Sequence, residues 1–145
     1  MLNVGDTAPE FAVKDHTGKL RSLKDFRGKR VVLWFYPKAD TPGCTAEGCG
    51  FHERSPRYTE KGAAILGVSF DTEQENAAFA KKFKFDYPLL CDTERTIGLA
   101  YGACDTKDAA NAKRIAYVIG KDGKIEQVHA KVKADTFPET LLATL

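Results

Sequence analysis

The sequence predicts an α/β fold: a central mixed sheet flanked by helices, with a hairpin at the N-terminus. Three observations carry the prediction. Arg30 to Tyr36 and Ala63 to Phe70 are apolar runs of buried-strand length. Each is followed by a segment with helical spacing and a plausible helix start. Two further strand-like runs, Arg114 to Ile119 and Lys124 to Ala130, flank Gly120-Lys121-Asp122-Gly123, a strong turn signal. Alternation of strands with helices, followed by a closing hairpin, gives a layered α/β arrangement rather than a bundle or a sandwich of sheets.

The elements follow in order. Phe11 to Lys14 and Lys19 to Ser22 flank the turn-rich Asp15-His16-Thr17-Gly18 and read as a hairpin. Ser22 can cap a short helix through Phe26 that Gly28 stops. After the strand ending at Tyr36, Thr41-Pro42-Gly43 reads as a turn into a helix running to about Tyr58, bent near Pro56. Asp71-Thr72-Glu73 opens a helix with Phe79 and Phe83 on one face, and Tyr87 to Cys91 is a short strand or sheet edge. Asp92 or Thr93 can cap a helix through Ala100, ended by Gly102. A last helix starts near Asp135. With no repeat, linker or low-complexity stretch, residues 1–145 read as one domain. A strand, a turn, a helix-start cysteine and a late hairpin look like a thioredoxin-like fold.

Composition narrows the functional classes. The 145 residues are 43% hydrophobic and 29% charged, with a formal net charge of +2. That balance, with basic residues scattered, argues against nucleic acid or a membrane surface as partner. No apolar run reaches membrane-spanning length, and the N-terminus lacks signal-peptide character, so a cytoplasmic location is expected. Four cysteines are too few for a stapled secreted scaffold, and in a reducing compartment a close pair points to catalysis or metal binding.

The pair is Cys44 and Cys49. The turn sets Cys44 in the first turn of its helix, where unpartnered N–H groups favour a thiolate. A free cysteine has a pKa near 8.5; a helix start and a neighbouring cation can bring such a thiol to roughly 6, a gain of only about 30-fold in thiolate at pH 7. A fast reaction at this thiol therefore also needs groups that position the attacked bond and stabilise the leaving atom. Thr41, the N–H groups of Gly43 and Cys44, an arginine from another strand and a water-excluding Pro37 are the candidates, at the mouth of a pocket. Five residues along an ideal helix separate the Cα atoms of Cys44 and Cys49 by about 8.6 Å, beyond the roughly 7 Å that a disulfide tolerates. A bridge between them requires the helix to unwind. Gly48 and Gly50, on either side of Cys49, each weaken the helix by roughly 1 kcal/mol relative to alanine.

These motifs resemble those of the peroxiredoxins. Pro37-x-x-x-Thr41-x-x-Cys44 matches the family's active-site pattern, and Cys49 followed by Gly50-Phe51 is similar to the Q-type, or bacterioferritin-comigratory-protein, subgroup. Collinear likenesses run through Gly5-Asp6-x-Ala8-Pro9-x-Phe11, Leu23-x-Asp25-Phe26-Arg27-Gly28-Lys29, Tyr87-Pro88-Leu89-Leu90-x-Asp92 and Asp122-Gly123-Lys124-Ile125. The resemblance implies a thiol-dependent peroxidase acting on hydrogen peroxide and organic hydroperoxides. It implies Cys44 as the nucleophile that becomes a sulfenic acid, with Thr41 and Arg114 holding the peroxide. Pro37 would shield the thiolate, and Glu47 would orient the arginine. Cys49 would resolve the sulfenic acid as an intramolecular disulfide, reduced by thioredoxin or a similar dithiol. A monomer without cofactor or metal is implied. Cys91 stands where serine is common, and Cys104 where many members have no thiol; both read as packed side chains. The residues alone leave two other readings: a dithiol–disulfide oxidoreductase without peroxidase activity, and a thioredoxin-like domain holding a metal through Cys44, Cys49 and His52.

Overall fold

The computed structural model describes residues 1–145. Strands β1 (Ala12–Lys14) and β2 (Leu20–Ser22) pair as the antiparallel N-terminal hairpin, and a single 3₁₀ turn follows at Leu23–Phe26. The Asp25 carboxylate accepts from the Ser22 N–H at 3.0 Å, which fixes that turn. Then come β3 (Arg30–Phe35), α1 (Pro42–Glu60), β4 (Ala63–Ser69), α2 (Glu73–Phe83), β5 (Leu89–Cys91), α3 (Thr96–Tyr101), β6 (Ala116–Ile119), β7 (Ile125–His129) and α4 (Phe137–Leu142).

The main sheet has the order β5-β4-β3-β6-β7. β3 and β5 run parallel to β4, whereas β6 is antiparallel to β3 and to β7. This is the mixed sheet of a thioredoxin-like fold. Alternate residues of β3 serve opposite faces, as strand geometry requires. Val31, Leu33 and Phe35 enter one core with Ile97 and Tyr101 of α3. Val32 and Trp34, with Tyr36 just beyond the strand, enter the other, against Phe51 and Tyr58 of α1, Phe79 of α2 and Leu141 of α4. That second face carries the thiol helix.

One sequence expectation needs correction and another needs refinement. Arg114 does not begin a strand: it lies in a bend two residues before β6, and the Ile115 carbonyl after it accepts from the Phe35 N–H at 2.8 Å. Of the two expected caps of α3, Asp92 serves and Thr93 does not, although the residue flanking the helix is Arg95, in the left-handed region at φ 61°. The Asp92 carboxylate nevertheless caps α3 from a distance, accepting from the N–H groups of Ile97 (3.1 Å) and Gly98 (2.7 Å). The chain turns back at Arg95, so a side chain earlier in sequence reaches the helix start. No helix is long and apolar enough to cross a membrane.

Candidate active site

The C-terminal ends of β3 and β4 open into two loops that meet. After Tyr36 the chain passes through Pro37 to Asp40 and enters α1 with Thr41 as the flanking residue and Pro42 as the first helical residue. Proline suits that position because its missing N–H would have had no partner there. Asp40 adopts a left-handed conformation, φ 58°, which aspartate tolerates better than most residues. The loop is pinned from the β4 side. Buried Asp71 accepts from the Ala39 N–H at 2.8 Å and pairs with Lys38 at 2.6 Å. Glu75 pairs with the same lysine at 2.6 Å. On the opposite side the Asn111 amide, oriented to satisfy both partners, donates to the carbonyl oxygens of Pro37 (3.1 Å) and Ala110 (3.0 Å). Sequence reading missed Asp71 and Asn111, because each acts through a contact far away along the chain.

Cys44 is the third residue of α1. The first helical hydrogen bond runs from the Thr45 N–H to the Thr41 carbonyl at 2.8 Å. The N–H groups of Gly43 and Cys44 precede it and have no partner within the helix. The Thr41 hydroxyl does not cap the helix; it donates to the Lys38 carbonyl at 2.7 Å. Its proton is thereby committed, and its lone pairs remain available to an incoming O–H donor.

Arg114 lies across the helix start. Its Nη2 donates to Cys44 Sγ at 3.4 Å and its Nη1 to Glu47 Oε1 at 2.9 Å. One planar fork thus joins a sulfur and a carboxylate three residues apart on α1. Gly43 makes room for it: a Cβ there would stand 2.8 Å from Nη2. Cys44 is fully buried, not at an open pocket mouth, because Arg114, itself 22% exposed, covers it.

Glu47 sits in the second turn of α1, with no exposed surface and with Oε2 lacking any partner. Its carboxyl is pushed from 4.5 up to about 7, since burial opposes the charge more strongly than the Arg114 pair favours it. The folded protein therefore holds this proton where the unfolded chain has released it. Stability should fall as pH rises from 4.5 to about 7, by up to roughly 3 kcal/mol, and level off on either side. Glu47→Gln should remove that slope, so that the variant gains on the native protein with rising pH. Urea unfolding of both at about pH 5 and about pH 8 measures the difference; parallel behaviour would contradict the assignment.

Cys49 is half-buried in the same uninterrupted helix, and all four cysteines are free thiols. Burial, and then the Glu53 carboxylate, push its thiol up. Gly48 and Gly50, which the sequence marks as weak points, have a packing reason as well. A Cβ at 48 would lie 2.6 Å from the Phe85 ring, and one at 50 would lie 2.8 Å from Pro138. Cys91 and Cys104 are buried in the core, and burial pushes Cys91 up to about 11. Cys44, Cys49 and His52 do not form a metal-ligand cluster; His52 faces Asp86 at 3.2 Å instead.

A helix start, a fixed guanidinium and a hydroxyl acceptor around one buried sulfur can hold an anion and polarise a peroxide. Comparison with known proteins agrees. The family model described as AhpC/TSA matches residues 4–128. A putative peroxiredoxin bcp of Coxiella burnetii is 37% identical over 139 residues, covering 92% of each chain. The crystal structure of peroxidoxin BcpB from Mycobacterium tuberculosis superposes with a TM-score of 0.91 at 34% identity, covering 99% of this chain and 96% of that one. The Xanthomonas campestris bacterioferritin comigratory protein, whose structures concern alkyl peroxide reduction, gives 0.89 at 27% identity, covering 99% and 95%. The chain belongs to the AhpC/TSA family, as a thiol peroxidase among its bacterioferritin-comigratory, Q-type peroxiredoxins.

Proposed function

We propose that this peroxidase works through Cys44 as nucleophile and Cys49 as resolving thiol, on hydrogen peroxide and organic hydroperoxides. The observation that carries the reading is the Arg114 fork, bonded at once to Cys44 Sγ and Glu47 Oε1. The Cys44 thiolate attacks one peroxide oxygen; an S–O bond forms, the O–O bond breaks, and the second oxygen leaves with a proton as water or alcohol. Arg114 and the N–H groups of Gly43 and Cys44 stabilise the negative charge that moves onto the leaving oxygen. Thr41 accepts from the peroxide O–H and so orients it. Pro37 limits water on one side of the sulfur, and Glu47 keeps the guanidinium in its plane.

Cys49 then attacks the sulfenic sulfur of Cys44. An S–S bond forms, the S–O bond breaks, and water leaves with the Cys49 proton. In the helix this thiol is out of reach, so the step requires the first turns of α1 to unwind, which also removes the burial that opposes its ionisation. A thioredoxin-like dithiol supplies the two electrons that reopen the bridge. We infer a one-domain monomer of residues 1–145 acting in the cytoplasm, without nucleic acid or membrane partners.

The test is NADPH consumption with thioredoxin and its reductase as peroxide is supplied. Sustained consumption supports the cycle. Cys49→Ser should consume about one equivalent of peroxide per chain and then stop cycling through thioredoxin; undiminished turnover in that variant would remove Cys49 from the cycle.

A further inference from the structure

The segment Phe85-Asp86-Tyr87, between α2 and β5, runs beside α1 just beyond the thiol turn and touches it at successive turns. Tyr87 Oη donates to the Gly48 carbonyl at 2.8 Å. The Asp86 carboxylate faces His52 Nδ1 at 3.2 Å and accepts from Ser55 Oγ at 3.0 Å. The Phe85 ring packs so closely on Gly48 that no side chain fits between them. Phe85 and Tyr87 stack at 5.3 Å between ring centroids, and Phe79 meets Phe85 edge-on at 4.9 Å, which anchors the strip in the core.

The Gly48 carbonyl already serves the helical ladder through the N–H four residues on. The tyrosine bond is additional; α1 does not need it to be a helix. Its effect is to hold down the turn next to Cys49. For Cys49 to reach Cys44, the backbone at 48 and 49 must leave helical geometry, and the Gly48 carbonyl cannot swing out while Tyr87 holds it.

We propose that Tyr87, backed by Phe85, is a positioning residue that latches Gly48 and sets the rate at which α1 opens for disulfide formation. The inference rests on the assignment of Cys49 as the resolving thiol. The latch decides a competition. In one branch Cys49 displaces water from the Cys44 sulfenic acid. In the other, the sulfenate attacks a second peroxide, takes one oxygen, releases water or alcohol, and becomes sulfinic acid. Only the first branch needs the helix to open, so a tighter latch lengthens the life of the sulfenic acid and favours overoxidation.

Rapid-quench alkylation with mass spectrometry follows thiol, sulfenic acid, disulfide and sulfinic acid in native protein, Tyr87→Phe and Phe85→Leu. The peroxide-dependent oxidation of Cys44 should be unchanged in Tyr87→Phe. The peroxide-independent formation of the disulfide should be about three- to tenfold faster, the factor that one buried hydrogen bond makes. The peroxide concentration that gives half sulfinic acid should rise by the same factor. Phe85→Leu should move the disulfide step in the same direction, and it stands in if Tyr87→Phe does not fold. A merely structural role would leave the two steps in proportion. An unchanged or slower disulfide step overturns the latch while leaving the cycle intact. Peptide mapping of oxidised native protein decides the underlying reading: if Cys49 is not joined to Cys44, the resolving assignment falls, and the latch with it.

Discussion

Cys44→Ser should reduce peroxide consumption to the uncatalysed background, a loss of about 10⁴-fold or more, as expected when an enzyme loses its nucleophile. A serine hydroxyl at the same site does not ionise in the working range of pH, so neither the helix start nor Arg114 has an anion to stabilise. No other thiol is expected to substitute. Burial and then Glu53 push Cys49 up, and burial pushes Cys91 up to about 11. Burial also pushes Cys104 up. Only Cys44 has a guanidinium in hydrogen-bond contact with its sulfur. The measurement is the loss of peroxide over time with reductant in excess; residual turnover above background would place the nucleophile elsewhere.

The second large effect belongs to Arg114. Arg114→Met should lower the second-order rate of Cys44 oxidation by about 10²–10³-fold, the loss seen when a fixed donor is removed from a developing oxyanion, or about 3–4 kcal/mol. Fold stability should suffer less. The buried Glu47 left behind is already close to protonation at neutral pH and can become neutral rather than remain an unpaired charge. Arg114→Lys should recover part of the rate but not all of it. One ammonium carries the charge, yet it cannot reproduce two N–H groups diverging in one plane toward Cys44 Sγ and Glu47 Oε1. Rapid mixing at several peroxide concentrations gives the rate directly. Equal rates for methionine and arginine would mean that the guanidinium is spectator to the chemistry.

The order of elements was legible because the strand signals are local. Val31 to Phe35 is a continuous apolar run fed by one parallel and one antiparallel neighbour, and such a run reads as a buried strand whatever surrounds it. Capping and site assembly were less legible because they depend on returns of the chain. Asp92 was readable as a cap of α3, but not that it would act across a backbone reversal at Arg95. The resemblance implied that Glu47 orients the arginine, but only the folded chain shows it buried a turn inside α1 and bonded to Arg114.

The partners of the thiol loop were the least visible. Asp71, Asn111 and Tyr87 are ordinary residue types at ordinary positions, and each acquires its role from a neighbour more than 30 residues away along the chain. The glycines beside Cys49 show the same limit from the other side. Propensity marks them as weak points of a helix, whereas packing shows that Phe85 and Pro138 occupy the space their side chains would need. Both statements hold, and together they describe a helix segment that is intrinsically soft and externally held.

The central claim is that oxidation begins at the buried sulfur under Arg114 and moves to the half-buried one only after the helix lets go. Reduced protein mixed with one equivalent of hydrogen peroxide, quenched at successive times with a sulfenic-acid trap and mapped by peptide mass, measures this directly. The account predicts the trap on Cys44 alone at early times, replaced later by a Cys44–Cys49 link. A trap first found on Cys49, Cys91 or Cys104, or a final link from Cys44 to either core cysteine, would contradict it.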